Sequence, residues 1–321
     1  MRVLLMLFLV ASLFQSSSQG KLKVGFYDKI CPDAENIVSR VVREEFESDR
    51  NLAAVLLRLH FHDCFVEGCD GSILIEGENA ERDAFGHQGV GGFDVIEKAK
   101  AELEGNCPTT VSCADIVAMA ARDAVFLANG PFYRVETGRR DGEVSNVSLA
   151  DQMPDVSDSI QKLKELFFKK GLSEKDLVVL SGAHTIGTTA CFFMTQRLYN
   201  FIPGGGSDPS INQQFLLELQ STCPPDGDVN VRLPIDRGST ERFDNQILQN
   251  IRGGFAVLQS DAALYEDEAT KRVVDSYFDI LSPLTGSSFE ADFASSMVKM
   301  GKIGVKTGSQ GTIRRVCGAF N

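Results

Sequence analysis

Two of the four histidines in the chain lie close to an arginine in one short apolar segment. The segment runs Arg58-Leu-His60-Phe-His62-Asp-Cys-Phe. If it is helical, Arg58 and His62 are four residues apart and share one face, whereas His60 points elsewhere. A cation and a titratable base that face one cavity can move protons on a bound substrate. The alternative is that both are ordinary surface or core residues.

Oxygen donors follow directly after this segment. Asp63, Asp70 and Ser72 carry side-chain oxygens, and Val66 and Gly68 could supply backbone carbonyls. Calcium takes roughly six to eight oxygen ligands from carboxylates, hydroxyls and carbonyls. The pattern is not that of an EF-hand, but it indicates a calcium site. The alternative is an acidic turn closed by a disulfide between the two nearby cysteines.

A further histidine, His184, lies in the segment Leu180-Ser-Gly-Ala-His-Thr-Ile-Gly187, after an apolar helical stretch. Its small neighbours would let a flat ligand approach the backbone closely. A neutral imidazole at this place could bind iron, and an iron-bound histidine usually donates its other N–H to a carboxylate. The alternative is a buried histidine that is hydrogen-bonded within the core.

The elements that must position these residues are predicted to be mainly helical. Apolar spacing and capping residues predict helices over residues 33–47, 52–62, 112–128, 157–170, 173–180, 270–281 and 289–299. Strand signals are few and short, at residues 72–75 and 313–316. Long functional loops are expected over residues 64–92 and 224–240. The sequence therefore predicts an all-α fold.

Length and charge narrow the classes of protein. A chain of 321 residues with 43% hydrophobic residues forms one large domain or two closely packed ones. A net charge of −12 argues against nucleic acid and anionic membrane surfaces as partners. No segment after the N-terminal region is long and apolar enough to cross a membrane, which takes about 20 apolar residues.

The first 20 residues have the order of regions of a signal peptide. Arg2 precedes an apolar run over residues 3–14, and small polar residues lead to Gly20. The run is too short to span a bilayer, and we expect cleavage near Gly20. The alternative is a buried N-terminal helix.

Eight cysteines remain after residue 20. An even number in an exported chain indicates four disulfides, although spacing alone leaves about 105 pairings. No CxxC pair is present, which argues against a zinc ribbon or a thioredoxin-type redox motif. No CxxCH is present either, so a haem would not be attached in the manner of cytochrome c.

Together these motifs resemble those of the secretory plant-type haem peroxidases (class III). The likeness runs from about Lys21 to Cys317. Its signatures are Arg58–Val66, Gly68–Ser72, Val111–Ile116, Gly138–Asp141, Leu180–Gly187 and Phe243–Asn245. The resemblance implies haem b held between two helical domains: a distal domain of residues 21–155, completed by residues 300–321, and a proximal domain of residues 156–299.

The resemblance also implies roles for five residues at the haem. His184 matches the axial iron ligand, and Asp261 matches the carboxylate that accepts its Nδ1 proton. His62 matches the distal acid–base residue, Arg58 the residue that stabilises charge on the departing oxygen, and Phe61 an aromatic wall. Hydrogen peroxide would be reduced while two phenolic molecules each lose one electron. Typical roles are peroxide removal, oxidative-stress response and oxidation of cell-wall phenolics.

Two calcium sites and four disulfides are further implications of the resemblance. The distal calcium would be bound by Asp63, Val66, Gly68, Asp70 and Ser72, with Glu81 acting through water. The proximal calcium would be bound by Thr185, Asp236, Ser239, the Arg242 carbonyl and Asp244. The expected disulfides are Cys31–Cys107, Cys64–Cys69, Cys113–Cys317 and Cys191–Cys223.

Pro154 falls where the family has a proline in the substrate channel. The alternative is an ordinary proline at the start of the helix predicted from Ser157.

Location and assembly are expectations of the same kind. The sequon Asn146-Val-Ser148 predicts glycosylation of an exported protein. Vacuolar forms of the family often carry a C-terminal extension, so an end at Asn321 favours the extracellular space or the cell wall. We expect a monomer whose partners are peroxide and small phenols.

One position departs from the family pattern. Most relatives carry an asparagine that accepts the Nδ1 proton of the distal histidine, but here the segment 85–93 is one residue shorter and His87 falls at that place. A neutral imidazole can accept this bond and a protonated one cannot. We hypothesise that His87 replaces the asparagine, so that His87→Asn extends peroxide reactivity to lower pH; an unchanged pH profile would contradict this. The alternative is a surface His87, with Gln88 or a carbonyl as acceptor.

Two other functions fit part of the sequence. A zinc hydrolase could use His60, His62 and Asp63, but residues two apart diverge on a helix and helical zinc ligands are usually four apart. A non-catalytic haem-and-calcium protein of the cell wall would keep the fold without turnover. It would have no need for the complete set of Arg58, His62, His184 and Asp261.

Overall fold

The computed structural model describes residues 21–279 and 288–321. This part of the chain is mainly helical and has one small two-stranded sheet, which confirms the all-α prediction. Its α-helices are α1 (Ala34–Ser48), α2 (Leu52–Phe65), α3 (Phe93–Asn106), α4 (Cys113–Leu127), α5 (Ile160–Lys169), α6 (Glu174–Ser181), α7 (Thr195–Tyr199), α8 (Gln213–Thr222), α9 (Gln246–Gly253), α10 (Gln259–Ala263), α11 (Glu268–Ser276) and α12 (Phe289–Met300).

Short elements connect these helices. The 3₁₀ helices are Ser72–Leu74, Glu81–Asp83, Phe85–His87, Val147–Gln152, Gly182–Thr185 and Cys191–Phe193. Strand β1 (Thr188–Ala190) pairs antiparallel with β2 (Arg232–Pro234). None of the helices in the described residues is long and apolar enough to cross a bilayer. The predicted signal peptide, residues 1–20, lies outside the described residues.

The core of the first half is built on α4, which packs against both α1 and α2. Helix α4 is rich in alanine and buried along almost its whole length, so neighbouring helices can approach it closely. Ser112 caps its start by accepting a hydrogen bond of 3.1 Å from the Asp115 backbone N–H. Helix α2 therefore packs one face against α4, and another face is free to line a cavity.

In the second half of the chain, helix α6 supports the turn that carries His184. Ser173 and Asp176 make a reciprocal capping box at its start, as their spacing predicts. The helix packs against α5, α11 and α12, and Leu177 to Leu180 are buried. The 3₁₀ helix Gly182–Thr185 continues directly from its end and carries His184.

The C-terminal residues return to the first half of the chain. The Arg314 backbone N–H donates to Asp141 Oδ2 at 2.8 Å, and Arg314 itself is fully buried. A disulfide joins Cys113, the first residue of α4, to Cys317. These contacts place the end of the chain against its first half.

The four disulfides of the described residues join the pairs implied by the resemblance, and none of the described cysteines is free. They are Cys31–Cys107, Cys64–Cys69, Cys113–Cys317 and Cys191–Cys223.

Both predicted strands are wrong. Ser72–Leu74 is a 3₁₀ helix that follows Gly71, whose φ of 70° turns the chain before a ladder can form. Residues 313–316 form no strand, although Thr312 makes an isolated bridge with Asp141. In the first segment the apolar residues are buried without forming a strand, and in the second the chain only crosses another segment. A short apolar run in the sequence does not distinguish these cases from a strand.

Helix boundaries also differ from the predictions. Helix α5 begins at Ile160 because residues 155–158 form a turn and Ser159 provides the cap. Helix α11 ends at Ser276, so the prediction of 270–281 extends too far; residues 280 and 281 lie outside the described residues. Helices α3, α7, α8, α9 and α10 have no counterpart among the predictions.

Candidate active site

One cavity of 680 Å³ brings together five of the residues predicted for the haem site. Arg58, Phe61 and His62 reach it from α2, His184 reaches it from the turn after α6, and Pro154 lies at its wall. Arg58 and His62 share a face of α2, as their spacing predicts. Ligand cavities typically measure about 300 to 1,000 Å³, so the space is large enough for a bound cofactor.

His184 is held from behind by a buried carboxylate. Its Nδ1 lies 2.9 Å from Oδ1 and 3.1 Å from Oδ2 of Asp261, which α10 places in the core at 0% exposure. The His184 ring is 37% exposed, and it lines the cavity. Burial lowers the pKa of His184, but Asp261 outweighs burial and the net pKa is raised. With Nδ1 committed to the carboxylate, Nε2 is the nitrogen that can bind a metal ion.

One of the small residues beside His184, Gly182, has a different function from the one expected, whereas the others line the cavity. A Cβ at Gly182 would lie 2.5 Å from the Phe289 ring, so this glycine makes room for core packing. Ser181 and Ala183 do line the cavity. Gly187 also lines it, and its φ of 95° favours glycine.

His62 is held by two different partners. Arg58 Nε donates to His62 Nε2 at 3.1 Å, and His62 Nδ1 lies 2.7 Å from Nδ1 of His87. Arg58 Nη2 donates to the Gln88 carbonyl at 2.9 Å. Burial, followed by the charge of Arg58 and by His87, lowers the pKa of His62 well below its usual range. The ring is therefore neutral at ordinary pH and available as a base.

His87 is 3% exposed, which contradicts the surface alternative. The Gln88 carbonyl bonds Arg58 rather than His62. Burial and then Arg58 lower the pKa of His87 to about 4. Its Nε2 lies 3.9 Å from Glu81 Oε1, beyond hydrogen-bond distance.

The predicted distal calcium ligands are gathered after α2, and several of their oxygens are buried without a hydrogen-bond partner in the described residues. These are both carboxylate oxygens of Asp63, both of Glu81, and Ser72 Oγ. Burial raises the pKa of Glu81 to about 8, and burial with Asp70 and Glu81 raises that of Asp63. Unpaired buried oxygens are costly, and a hard cation would satisfy them.

Two lysines also reach this region. Lys170 Nζ donates to the Val66 carbonyl at 2.7 Å, and Lys306 pairs with Asp70. The remaining predicted ligand, Gly68, has φ 113°, and a Cβ there would lie 2.6 Å from Gly304. The unpaired oxygens of Asp63, Ser72 and Glu81 therefore fit a calcium ion, whereas the Val66 carbonyl and Asp70 are bonded to lysines.

The predicted proximal calcium residues also come together. Thr185 Oγ1 lies 2.9 Å from Asp236 Oδ2 and 3.4 Å from Asp244 Oδ1. Ser239 Oγ lies 3.0 Å from Asp244 Oδ1 and 3.4 Å from the Arg242 carbonyl. Burial raises the pKa of Asp236 to about 6. Carboxylates, hydroxyls and a carbonyl at these separations form a donor set that suits calcium.

The geometry does not support a zinc site. His60, Asp63 and Cys64 lie close enough to share an ion, but Cys64 is bonded to Cys69 and has no thiolate to offer. His60 lines a small separate cavity with Tyr133 and Arg139. His60 and His62 therefore diverge, as their spacing predicts.

Asn146 and Pro154, the remaining predicted residues, lie in different parts of the structure. Asn146 is exposed and begins the 3₁₀ helix Val147–Gln152. Pro154 lies six residues before the first residue of α5, so the structure does not support the helix-start alternative.

Sequence reasoning missed many residues of the cavity, among them Phe85, Phe193 and Arg232. These three lie in short 3₁₀ helices or a three-residue strand, where periodicity gives no signal.

A helical fold whose cavity is lined by one histidine paired with a buried carboxylate and a second histidine bonded to an arginine is typical of the class of haem peroxidases. The family model described as Peroxidase matches residues 38–279, and the chain belongs to this family. It is 64% identical to Peroxidase 43 of Arabidopsis thaliana over 97% of this chain and 96% of the relative. It is 55% identical to Peroxidase 13 of the same plant over 98% of both chains.

Peroxidase N1 of Nicotiana tabacum is 50% identical over 93% of this chain and 90% of the relative. Membership of the family implies haem and calcium as cofactors. The chain is a peroxidase, an oxidoreductase that reduces hydrogen peroxide with electrons from a reducing substrate.

Proposed function

We propose that His184 binds the haem iron and that His62 is the acid–base residue for peroxide. The observation that carries this proposal is that both histidines line one cavity but have opposite partners. His184 has a carboxylate behind it, which makes the imidazole a stronger electron donor to a metal. His62 is buried and has a cation and a second imidazole as partners, and burial first and these neighbours second lower its pKa and keep it neutral.

The haem supplies the redox chemistry when it is bound, and the chain moves protons and charge around it. His62 takes the proton from one peroxide oxygen at Nε2 and returns it to the oxygen that leaves as water. Arg58 stabilises the negative charge that develops on the leaving oxygen. His87 accepts the Nδ1 proton of His62 in a hydrogen bond and so fixes the ring. Phe61, which packs on Phe65 and Phe167, forms the wall.

We propose one haem b and two calcium ions per chain. The support for the calcium ions is the set of unpaired buried oxygens at Asp63, Ser72 and Glu81, and the second cluster around Asp236.

Small phenols are the proposed electron donors, and each gives one electron. Phe85 and Phe193 line the cavity together with Pro154, and Phe85 is 63% exposed. Aromatic rings and a proline at an opening favour contact with a planar aromatic donor.

We also propose where the protein resides and how its chain divides into domains. A signal peptide over residues 1–20, four disulfides and the exposed sequon at Asn146 support an exported, glycosylated monomer of the extracellular space or cell wall. The return of residues 303–317 to α4 supports a distal domain of residues 21–155 with 300–321, and a proximal domain of 156–299.

The test is a stopped-flow measurement of the bimolecular reaction between the holoenzyme and hydrogen peroxide. His62→Leu should retain haem and lower the rate constant by roughly a hundredfold to ten-thousandfold. His184→Ala should change the haem absorption spectrum. Metal analysis of the same holoenzyme should give one iron and two calcium ions per chain.

His60→Gln is the matched control, because His60 lies on the same helix and is also buried but does not line the main cavity. Its rate constant should stay close to that of the wild type. An undiminished rate in His62→Leu with haem bound would refute the role of His62.

A further inference from the structure

The walls of the main cavity differ in polarity between its interior and its mouth. Apart from His62 and Thr189, the buried side chains that line the cavity are apolar, and they include Leu163, Phe167, Leu177, Met297 and Met300. On the side formed by β1 and β2, the exposed Arg232 and the half-buried Thr188 lie together and make this part of the mouth polar. A ligand with an apolar body and an anionic edge would therefore turn that edge to this side of the mouth.

The side chain of Arg232 is oriented by the small sheet. Arg232 pairs with Ala190 in the register of β1 and β2. Its Nε donates to Thr188 Oγ1 and its Nη2 donates to the Thr188 carbonyl, both at 2.8 Å. These two bonds fix the plane of the guanidinium and leave Nη1 and one N–H of Nη2 for another acceptor.

No acidic side chain of the described residues lies within ion-pair distance of Arg232. Arg58 is the other guanidinium among the described lining residues, and it already bonds His62 and the Gln88 carbonyl. Burial, and then the charge of Arg232, lower the pKa of Arg58 to about 10. The two cations therefore lie close enough to repel each other, and an anion beside Arg232 would relieve that repulsion.

We propose that Arg232 binds a propionate carboxylate of the haem and thereby anchors and orients the cofactor at the mouth of the cavity. This inference rests on the proposed function, because it requires haem in the cavity next to His184. A guanidinium with donors in one plane suits a carboxylate, and such charge-assisted bonds are among the stronger ones in proteins. Arg232 is a binding and positioning residue and takes no part in proton transfer to peroxide.

The experiment measures how fast haem leaves the holoenzyme for an excess of apomyoglobin, followed by the Soret band. Arg232→Leu should release haem about tenfold faster than the wild type, and Arg232→Lys should fall between them. Arg252→Leu is the matched control, because Arg252 is an exposed arginine that pairs with Asp275 and does not line the cavity. Its release rate should equal that of the wild type.

A second cofactor separates carboxylate binding from a general loss of structure. Wild type and Arg232→Leu are reconstituted with haemin or with haemin dimethyl ester, which has no propionate charge. The tenfold difference should appear with haemin and disappear with the ester. Equal release of haemin from both proteins would overturn the proposal, and so would an equal acceleration with both cofactors. Failure of the proposed function is distinct, because the wild type would then bind no haem or His184→Ala would leave the spectrum unchanged.

Discussion

The pair formed by His62 and His87 defines the hydrogen-bonding states of both rings. Arg58 donates to His62 Nε2, so the neutral His62 ring carries its proton on Nδ1. That proton points to His87 Nδ1 at 2.7 Å, which must accept, and the proton of His87 then lies on Nε2. A neutral His87 therefore presents an acceptor to His62 Nδ1, which is what the hypothesis that His87 replaces the family's asparagine requires.

This arrangement leads to a prediction for two substitutions. His87→Leu removes the acceptor and should lower the rate constant for the reaction with peroxide by roughly tenfold to a hundredfold. His87→Asn should keep most of the rate at neutral pH, because the carboxamide oxygen accepts the same proton. The measurement is stopped-flow mixing with peroxide at pH 7. If the leucine variant reacts as fast as the asparagine variant, the hydrogen bond has no role.

Helices α6 and α12 together fix the turn that carries His184. Asp176 lies in the first turn of α6, where Ser173 N and Oγ each donate to its Oδ2 at 2.7 Å. From α12, Ser296 donates to Oδ1 at 2.8 Å and Lys299 to Oδ2 at 2.5 Å. One buried carboxylate thus caps a helix and joins it to its neighbour.

Asp176→Asn should destabilise the protein in a pH-dependent way. Burial raises the pKa of Asp176, but the bonds from Lys299, Ser173 and Ser296 outweigh it and lower the pKa to about 2. A lowered folded-state pKa contributes stability above the unfolded value of about 4, here about 2 kcal/mol, and this is lost as pH falls towards 2. Urea unfolding of both proteins between pH 6 and pH 3 should show the difference narrowing below about pH 4.

The matched control is Asp33→Asn, since Asp33 is exposed at the start of α1 and makes no capping bond with its side chain. Its effect should stay within about 0.5 kcal/mol at every pH. A loss in Asp176→Asn that is the same at pH 6 and pH 3 would show that packing, not charge, is responsible.

The features that could be predicted are those set by residues close together in the sequence, and the features that could not are set by residues far apart. The shared face of Arg58 and His62 follows from helical spacing alone, and the capping box at Ser173 is legible in the sequence. Asp261 lies 77 residues from His184, so only the family resemblance identified it. Arg232 was missed because it reaches the cavity through strand pairing with β1, and three-residue strands leave no periodic signal.

The last residues of the chain complete the packing of its first half. Arg314 is fully buried, and its Nη2 and backbone N–H bond Gly71 and Asp141. The disulfide from Cys113 to Cys317 closes a sequence separation of 204 residues. A cross-link over so long a loop removes much entropy from the unfolded chain.

Removing this disulfide should cost more stability than removing the one from Cys191 to Cys223, whose separation is 32 residues. Loop-closure entropy gives about 5 kcal/mol for the longer loop and about 4 kcal/mol for the shorter one. Paired cysteine-to-alanine variants, compared by urea unfolding, test the order. A larger loss for the shorter loop would show that native packing, not chain entropy, dominates.

The return of the C-terminal residues has a consequence for biosynthesis. Asp141 and Gly71 are translated long before their partner Arg314, so the emerging polypeptide cannot finish its earlier half while it is still attached to the ribosome. Long-range contacts of this kind slow folding and leave partly assembled intermediates exposed. A nascent peroxidase that lacks roughly its last fifteen residues should therefore remain bound by chaperones. A stop codon near the 3′ end of the mRNA should then abolish folding as completely as a stop codon much earlier.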